Sequence, residues 1–363
     1  MLYKPRLDGL RCIAILMVLL GHFLYFFAGT NSGIYGVNLF FVLSGFLITS
    51  ILLSDKSATF GQAYKKFIAR RALRIFPVYY LIILFYILVS AQGIKEDWPY
   101  LISYTYNFHV SGINDWEHHL YSPYWSLSVE EQFYLFFPFV VLLLNKYPKT
   151  QITIFFFFVS LAISERIFRF THVHHYVNLL TNMYALTTGA IGAWCAKHKR
   201  LNDWFFNSLI AEINMLVIFF VIFWQGENMI GYIFYPLVNI YFVIKGASFS
   251  FKIKPVDKFL LSKWTIFIGR ISYGIYLYHI MVKYFFDEYI FQPIWSHIPF
   301  AQLGYFSKLQ YNETAIKFPF LLLITVLIAA MSYRFIEQPF LKLKDQYFKS
   351  EKNQVLSVPV PKN

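Results

Sequence analysis

Four ionisable residues, His22, Glu130, Glu131 and His279, stand inside stretches otherwise built of aliphatic and aromatic side chains. An ionisable group in a hydrocarbon layer costs at least ~2.5–3.5 kcal/mol on insertion scales, so each is a functional candidate. His22 follows Arg11 by eleven residues in the first apolar run. At 1.5 Å per residue they lie ~16 Å apart along a helix, with Arg11 at one edge and His22 beyond the middle. Glu130 and Glu131 follow Tyr124, Trp125, Ser126, Leu127, Ser128 and Val129 about one turn into another run, so Glu130 reaches the depth of His22 from the opposite side. An imidazole oriented by a carboxylate can take a proton from an alcohol. A lone histidine can equally be neutral and hydrogen-bonded within a bundle, and one glutamate, taken here as Glu131, can reach back to the outer interface.

Arg70, Arg71 and Arg74 close a basic segment that begins at Lys65 and Lys66. Residues 61–75 read as an interfacial amphipathic helix whose Phe67, Ile68, Leu73 and Ile75 dip into lipid. Arg71 and Arg74 are three apart and share a face, where they could grip a phosphate from two sides; lipid headgroups would serve them equally well. Ser44 and Gly45 allow a neighbouring helix or a thin substrate to come close. His118, His119, His172, His174 and His175 invite a metal, but no recognised ligand spacing accompanies them, so none is expected. The chain has no phosphate-cradling Gly loop, no G-x-S-x-G elbow and no H-E-x-x-H.

These residues need elements to hold them, and composition says which. Of 363 residues, 58% are hydrophobic and 14% charged, against roughly a quarter charged in soluble domains. With about twenty apolar residues per crossing, spans fall near 10–29, 34–53, 75–92, 127–145, 152–165, 178–196, 208–224, 229–245, 264–286 and 317–336. The expected fold is all-α, a polytopic transmembrane bundle of about ten spans. The sixth span, diluted at Leu186, Thr187, Thr188 and Gly189, suits a helix packed inside the bundle through small residues. The first run is read as a retained helix rather than a signal peptide, because another span follows at once. Cys12 and Cys195 form no framework.

The net charge of +13 sits in short blocks between apolar runs, a pattern of topology determinants and lipid contacts rather than of nucleic-acid binding. Lys4, Arg6 and Arg11, then Lys56 to Arg74, Lys146 and Lys149, Lys197 to Arg200, Lys245 to Lys263, and the tail all fall on one side of a ten-span chain. The positive-inside rule makes that side cytoplasmic, with both termini inside. The transmembrane domain is taken as 1–341 and the basic cytoplasmic tail as 342–363. Segments 93–126 and 287–316 read as outside loops and candidates for an acceptor rim. A transporter or flippase would also carry intramembrane His and Glu, but no pair of similar halves is visible.

Six strings, in order, resemble the acyltransferase-3 family of bacterial integral-membrane O-acyltransferases: RLDGLRCIAILMVLLGHF, GVNLFFVLSGFLIT, RRALRIFPVYY, YWSLSVEEQFYLFFP, ISYGIYLYH and SYRFIEQPF. Arg11 and His22 match its Arg-x10-His signature, and Arg71 with Arg74 its Arg-x-x-Arg. The resemblance implies a multi-pass protein of the bacterial inner membrane, with no permanently bound cofactor. It implies acetyl-CoA as co-substrate from the cytoplasm and a surface carbohydrate or lipid-linked glycan as acceptor. On that footing Arg71 and Arg74 would meet CoA phosphates and Arg11 the inner end of the path, with the donor arm beside Ser44 and Gly45. His22, supported by Glu130, would activate the acceptor hydroxyl. Tyr124, Trp125 and Ser128 would line the outer mouth, with Glu131 and His279 nearby. Many relatives carry an extracytoplasmic hydrolase-like domain; this chain ends too soon for one, so a hand-off to such a domain would need a separate protein.

Overall fold

In lipid every backbone N–H and C=O must be satisfied within its own segment, so long apolar runs become helices. The computed structural model of the protein describes residues 3–24, 32–113, 119–168, 177–224, 229–298 and 313–343, and among them every regular element is helical. In chain order these are α1 (Pro5–Phe23), α2 (Ser32–Leu53), α3 (Phe60–Leu88), α4 (Ile94–Ile102), α5 (Tyr106–Ile113), α6 (Tyr124–Leu143), α7 (Pro148–Phe168) and α8 (Leu179–Lys197). The second half adds α9 (Asp203–Asn207), α10 (Leu209–Trp224), α11 (Met229–Ser248), α12 (Lys254–Leu260), α13 (Lys263–Arg270), α14 (Ser272–Phe286), α15 (Gln292–Trp295) and α16 (Glu313–Ser332). The helix at α16 continues as a π-helical turn, Tyr333–Glu337.

Among the described residues, α2, α3, α6, α7 and the stretch Glu313–Leu343 are long and apolar enough to cross a membrane, and α10 is a shorter apolar helix. The chain is therefore a multi-pass membrane protein. Charge explains why α1 stands apart from those five, since it carries Arg6, Asp8 and Arg11 within 19 residues. Residues 61–75 are not a separate interfacial helix. They begin the 29-residue α3, whose N-cap Thr59 accepts a bond from the Gln62 N–H. The tail beyond 343, and His118, His172, His174 and His175, lie outside the described residues, as does the side chain of His119.

The bundle closes around α2, which packs most extensively on α8 and α1. Gly45 and Gly189 make the α2–α8 crossing reciprocal: a Cβ on Gly45 would run into the Leu186 carbonyl, and one on Gly189 into the Val42 carbonyl. Small residues let two backbones touch in this way, as the composition around Leu186–Gly189 indicated. At one end of the bundle Arg6 grips Asp257 through two bonds of 2.7 and 3.1 Å.

Two expectations about the connections change. The segment after α3 is a helical hairpin rather than an open rim. The Tyr79 and Tyr80 hydroxyls donate to the carbonyls of Leu101 and Ile102 at 2.9 and 3.2 Å. That places the end of α4 roughly 13 Å below the end of α3 at helical rise. His109 on α5 stacks on Tyr100 of α4 at 4.1 Å and meets Asp97 at 3.2 Å, so α5 runs back antiparallel. Lys245, counted among the inside topology charges, is fully buried and pairs with Glu212 at 2.6 Å.

Candidate active site

The sixteen residues around one cavity of about 90 Å³ include Arg11, Ser44, Arg71, Arg74, Glu130 and Glu131. Helix periodicity does most of this work. Arg71 and Arg74 share a face of α3, while Glu130 and Tyr134, four apart on α6, share another. Ser44 comes from α2, turned about 100° from the α8 contact that Gly45 makes.

The polar groups are knitted together. Ser44 Oγ donates to Glu130 Oε1 at 2.7 Å, and the Tyr134 hydroxyl lies 2.8 Å from Glu130 Oε2 and 3.1 Å from Ser44 Oγ. Arg71 lies over the Tyr134 ring, 4.8 Å from its centroid. Arg11 is braced from behind by Asp8 at 2.9 Å. With Arg11 paired to Asp8, Arg71 and Arg74 make no salt bridge among the described residues and are the cations available to an anionic ligand. Burying such an array without a ligand is costly, because desolvation outweighs pairing unless geometry is excellent.

His22 stands elsewhere. Its ring centroid lies 5.1 Å from that of His279, and its carbonyl accepts a bond from Lys283 Nζ at 2.8 Å. Gly33, at the start of α2, faces the imidazole; a Cβ there would lie 3.7 Å from His22 Nε2. His279 is fully buried, and its Nδ1 lies 2.6 Å from the Tyr276 carbonyl. A carbonyl only accepts, so Nδ1 carries the hydrogen and Nε2 is left as a lone-pair acceptor. That Nε2 is buried with no hydrogen-bond partner, an arrangement that asks for an explanation.

Tyr276 separates the two groups. It lines the arginine cavity, and its ring lies 5.5 Å from that of His279. Its hydroxyl is tied to Ser126 Oγ at 2.6 Å and to the Pro123 carbonyl at 2.9 Å, which fixes the ring as a wall.

Of the residues named from the sequence, Arg11, Arg71, Arg74, Ser44, Glu130 and Glu131 come together, and His22 and His279 form a separate pair. Glu130 was expected to orient His22; its carboxylate is instead taken up by Ser44 and Tyr134, and no Glu130–His22 hydrogen bond occurs among the described residues. Glu131 does not reach for the outer interface but lines the cavity wall beside Arg71. Gly45 is a packing glycine. Tyr124, Trp125 and Ser128 are buried within helix contacts rather than around the arginine cavity. Tyr124 bonds the Leu277 carbonyl at 3.1 Å and Ser128 the carbonyl of Tyr124 at 3.2 Å, while Trp125 packs edge-on to Phe41. Among the described residues no group of three or more His, Cys, Asp or Glu could hold a metal.

Sequence reasoning missed Tyr134, Tyr276 and Glu337. Tyr134 was findable as the i+4 neighbour of Glu130. Glu337 was findable as a carboxylate at the end of an apolar run; it is buried on the π-helical turn, with Oε1 unpartnered. Nothing in the sequence distinguishes Tyr276 from the 27 other tyrosines.

Comparison with known proteins follows the same lines. A family model described as an acyltransferase domain matches residues 4–334. "Putative O-acetyltransferase SAS0844" of Staphylococcus aureus (strain MSSA476) is 30% identical over 370 residues, covering 94% of this chain and 58% of the relative. O-acetyltransferase OatA of Staphylococcus aureus (strain NCTC 8325 / PS 47) is 29% identical over 372 residues, covering 94% of this chain and 57% of the relative. The chain thus spans a little over half the length of these curated relatives. No solved structure matches it. The Arg11–His22 and Arg71–Arg74 pairs, the ordered run of strings and the match over 4–334 agree: this chain belongs to the acyltransferase-3 family.

Proposed function

We propose that the chain moves an acyl group, acetyl in the first instance, from cytoplasmic acyl-CoA to a hydroxyl of a cell-surface glycan or glycan precursor. The observation that carries this reading is the convergence of Arg11, Arg71 and Arg74 on one cavity that also holds Ser44 and Glu130. Such a cluster suits the phosphates of a CoA donor and has no evident use in a passive scaffold. The family match and the relatives named as O-acetyltransferases support the reaction class. The reading keeps the N-terminus on the cytoplasmic side of a bacterial inner membrane, with about ten spans, and treats acetyl-CoA as a co-substrate rather than a bound cofactor.

In this mechanism the arginines hold the phosphates and the thioester reaches past Tyr276 toward the histidine pair. His22 takes the proton of the acceptor hydroxyl as the oxygen forms its bond to the thioester carbonyl carbon. The C–S bond then breaks, and the proton passes to the departing thiolate, restoring neutral His22. His279 Nε2, an unpartnered acceptor beside His22, is the neighbour that can orient or share that proton. Glu130 acts one step removed: through Ser44 and Tyr134 it fixes the donor cavity and offsets the arginine charge.

The test compares surface glycans of a knockout strain complemented with wild-type protein or with His22→Ala, at matched membrane levels, by mass spectrometry and proton NMR. An O-acetyl signal that falls ~10²–10⁴-fold in the variant, the usual worth of general-base catalysis, supports the assignment. Equal acetylation removes His22 from the mechanism.

A further inference from the structure

A second cavity, of about 390 Å³, lies on the other side of Arg71, Glu131 and Tyr134, which line both. Its volume falls within the ~300–1,000 Å³ of small-molecule sites. The walls are apolar side chains of α3, α5 and α6, and three of them, Phe108, Leu135 and Phe136, are exposed on the outside of the bundle. In a bilayer that mouth opens sideways among lipid tails. The inner end is polar.

The floor of this cavity is the turn between α4 and α5, Ser103 to Thr105. Backbone that leaves the helix at membrane depth persists only where protein buries it or where it lines a cavity. Here Gln132 Nε2 donates to the Tyr104 carbonyl at 2.8 Å and holds the turn in place. The Thr105 N–H reaches the Tyr100 carbonyl at 2.9 Å and the Tyr104 N–H the Leu101 carbonyl at 3.2 Å. That is the Schellman pattern, whose left-handed position is ordinarily glycine. Tyr104 occupies it with φ 54°. A bulky residue there stores strain of order 1–3 kcal/mol and persists when the side chain is needed. The ring stacks on Tyr79 at 4.4 Å, yet the hydroxyl, on a residue 7% exposed, has no hydrogen-bond partner. A buried, unpartnered hydroxyl on the wall of a cavity is a place for a ligand's polar group.

We propose that this cavity binds a single hydrocarbon chain of a bilayer amphiphile, entering between Phe108 and Phe136 and ending with its polar head on Tyr104 and Arg71. The site does not depend on the acyl-transfer reading, since occupancy can be measured without turnover.

The probe is palmitic acid carrying a mid-chain diazirine, added to the full chain in phosphatidylcholine nanodiscs and photolysed. Peptide mass spectrometry compares labelling of 103–108 and 131–136 with that of Phe156 and Phe157, exposed on α7. Labelling of the cavity segments should saturate with probe and be displaced by unlabelled palmitate, while Phe156 and Phe157 label in proportion to probe. Ala72→Trp, which fills the cavity, should lower cavity labelling about tenfold, the binding equivalent of overpacking one site. If that variant fails to fold, Leu135→Trp at the exposed mouth is expected to do the same. Unsaturable labelling, or labelling indifferent to both variants, overturns the site. Displacement by octanoyl-CoA but not by acetyl-CoA overturns the bilayer source and makes the cavity a pocket for the donor's own acyl chain.

Discussion

Two clusters of buried charge lie in this bundle, and they are built to opposite rules. Lys245 and Glu212 are both fully buried and 2.6 Å apart, and every remaining valence is filled. The ammonium donates to the Phe206 carbonyl at 2.9 Å, and the two carboxylate oxygens accept from the backbone N–H groups of Lys252 and Ile253 at 2.8 and 2.9 Å. The arginine cavity is the reverse. Arg71 and Arg74 make no salt bridge among the described residues, open space remains beside them, and nearby Glu337 keeps an oxygen without a partner. A saturated pair ties elements together; an unsaturated one leaves its capacity for a ligand. Charge in a membrane is therefore functional where it remains open, not merely where it is buried.

The sharpest way to break that comparison is to open the closed pair. Glu212→Gln leaves the Lys245 ammonium buried with less to hold it, and breaking a buried pair typically costs ~3–5 kcal/mol. Thermal unfolding in detergent should show a strongly lowered midpoint, while acetyl-CoA affinity of the surviving folded protein stays unchanged. Replacing both partners, Lys245→Met with Glu212→Leu, should recover much of the loss. Unchanged unfolding in the single variant would mean that water reaches the pair.

The open cluster should respond in the other observable. Arg71→Ala with Arg74→Ala should weaken acetyl-CoA binding by ~10–100-fold, the worth of one to two charge-assisted bonds, with a smaller change in turnover at saturating donor. Melting should hold or rise, because desolvated guanidiniums that repel one another are removed. Isothermal titration with the purified variants decides; unchanged donor affinity returns the pair to lipid headgroups.

The same contrast shows how much of this molecule was legible beforehand. Apolar length located the helices, and Arg11, Arg71, Arg74, Ser44 and Glu130 were named before any geometry and meet in one place. Sequence periodicity carries such information because residues on one face stay together. It does not carry which face of one helix meets which face of the next. His22 and Glu130 were expected at one depth, yet Glu130 bonds Ser44, eleven residues along α2 from the Gly33 that faces His22. The carboxylate therefore lies roughly 16 Å toward the Arg11 end; how far one helix slides along the next is not written in either sequence. Lys245 was misread for a related reason. Its position in the sequence is that of an interfacial lysine, and only the fold brings Glu212 to meet it. The hairpin tip at Tyr104 was invisible because an aromatic-rich stretch of short helices looks the same outside a bilayer as folded back into it.

A smaller effect refines the open cluster from within. Tyr134→Phe removes the hydroxyl shared by Glu130 and Ser44 but keeps the ring under Arg71. A bond to a charged carboxylate contributes ~1.5–3 kcal/mol, but Tyr134 acts on the donor only through Glu130, so the Michaelis constant for acetyl-CoA should rise a few-fold, with folding intact. Glu130→Gln should cost more, since it also removes the charge that offsets the arginines, and Glu131→Gln less than Glu130→Gln. The reverse order would make Glu131 the working carboxylate.

The smallest effect belongs to a third kind of charge pair, Arg6 with Asp257, which is bidentate but partly exposed to water. Hydrogen bonding from Arg6 holds the Asp257 carboxyl below its ordinary value, against a lesser upward push from burial. A carboxyl depressed in the folded state adds stability above its unfolded pKa of about 3.9 and loses it as pH falls through the folded value. Asp257→Asn should therefore lower the melting midpoint slightly at neutral pH, by the ~0–1 kcal/mol of a screened pair. The gap to wild type should close as the buffer is taken below pH ~4 or to high salt. Glu212→Gln should keep its deficit in high salt, because its pair meets no solvent ions. Equal salt sensitivity of the two variants would show that the buried pair is wet, and the distinction between closed and open charge in this bundle would lose its closed example.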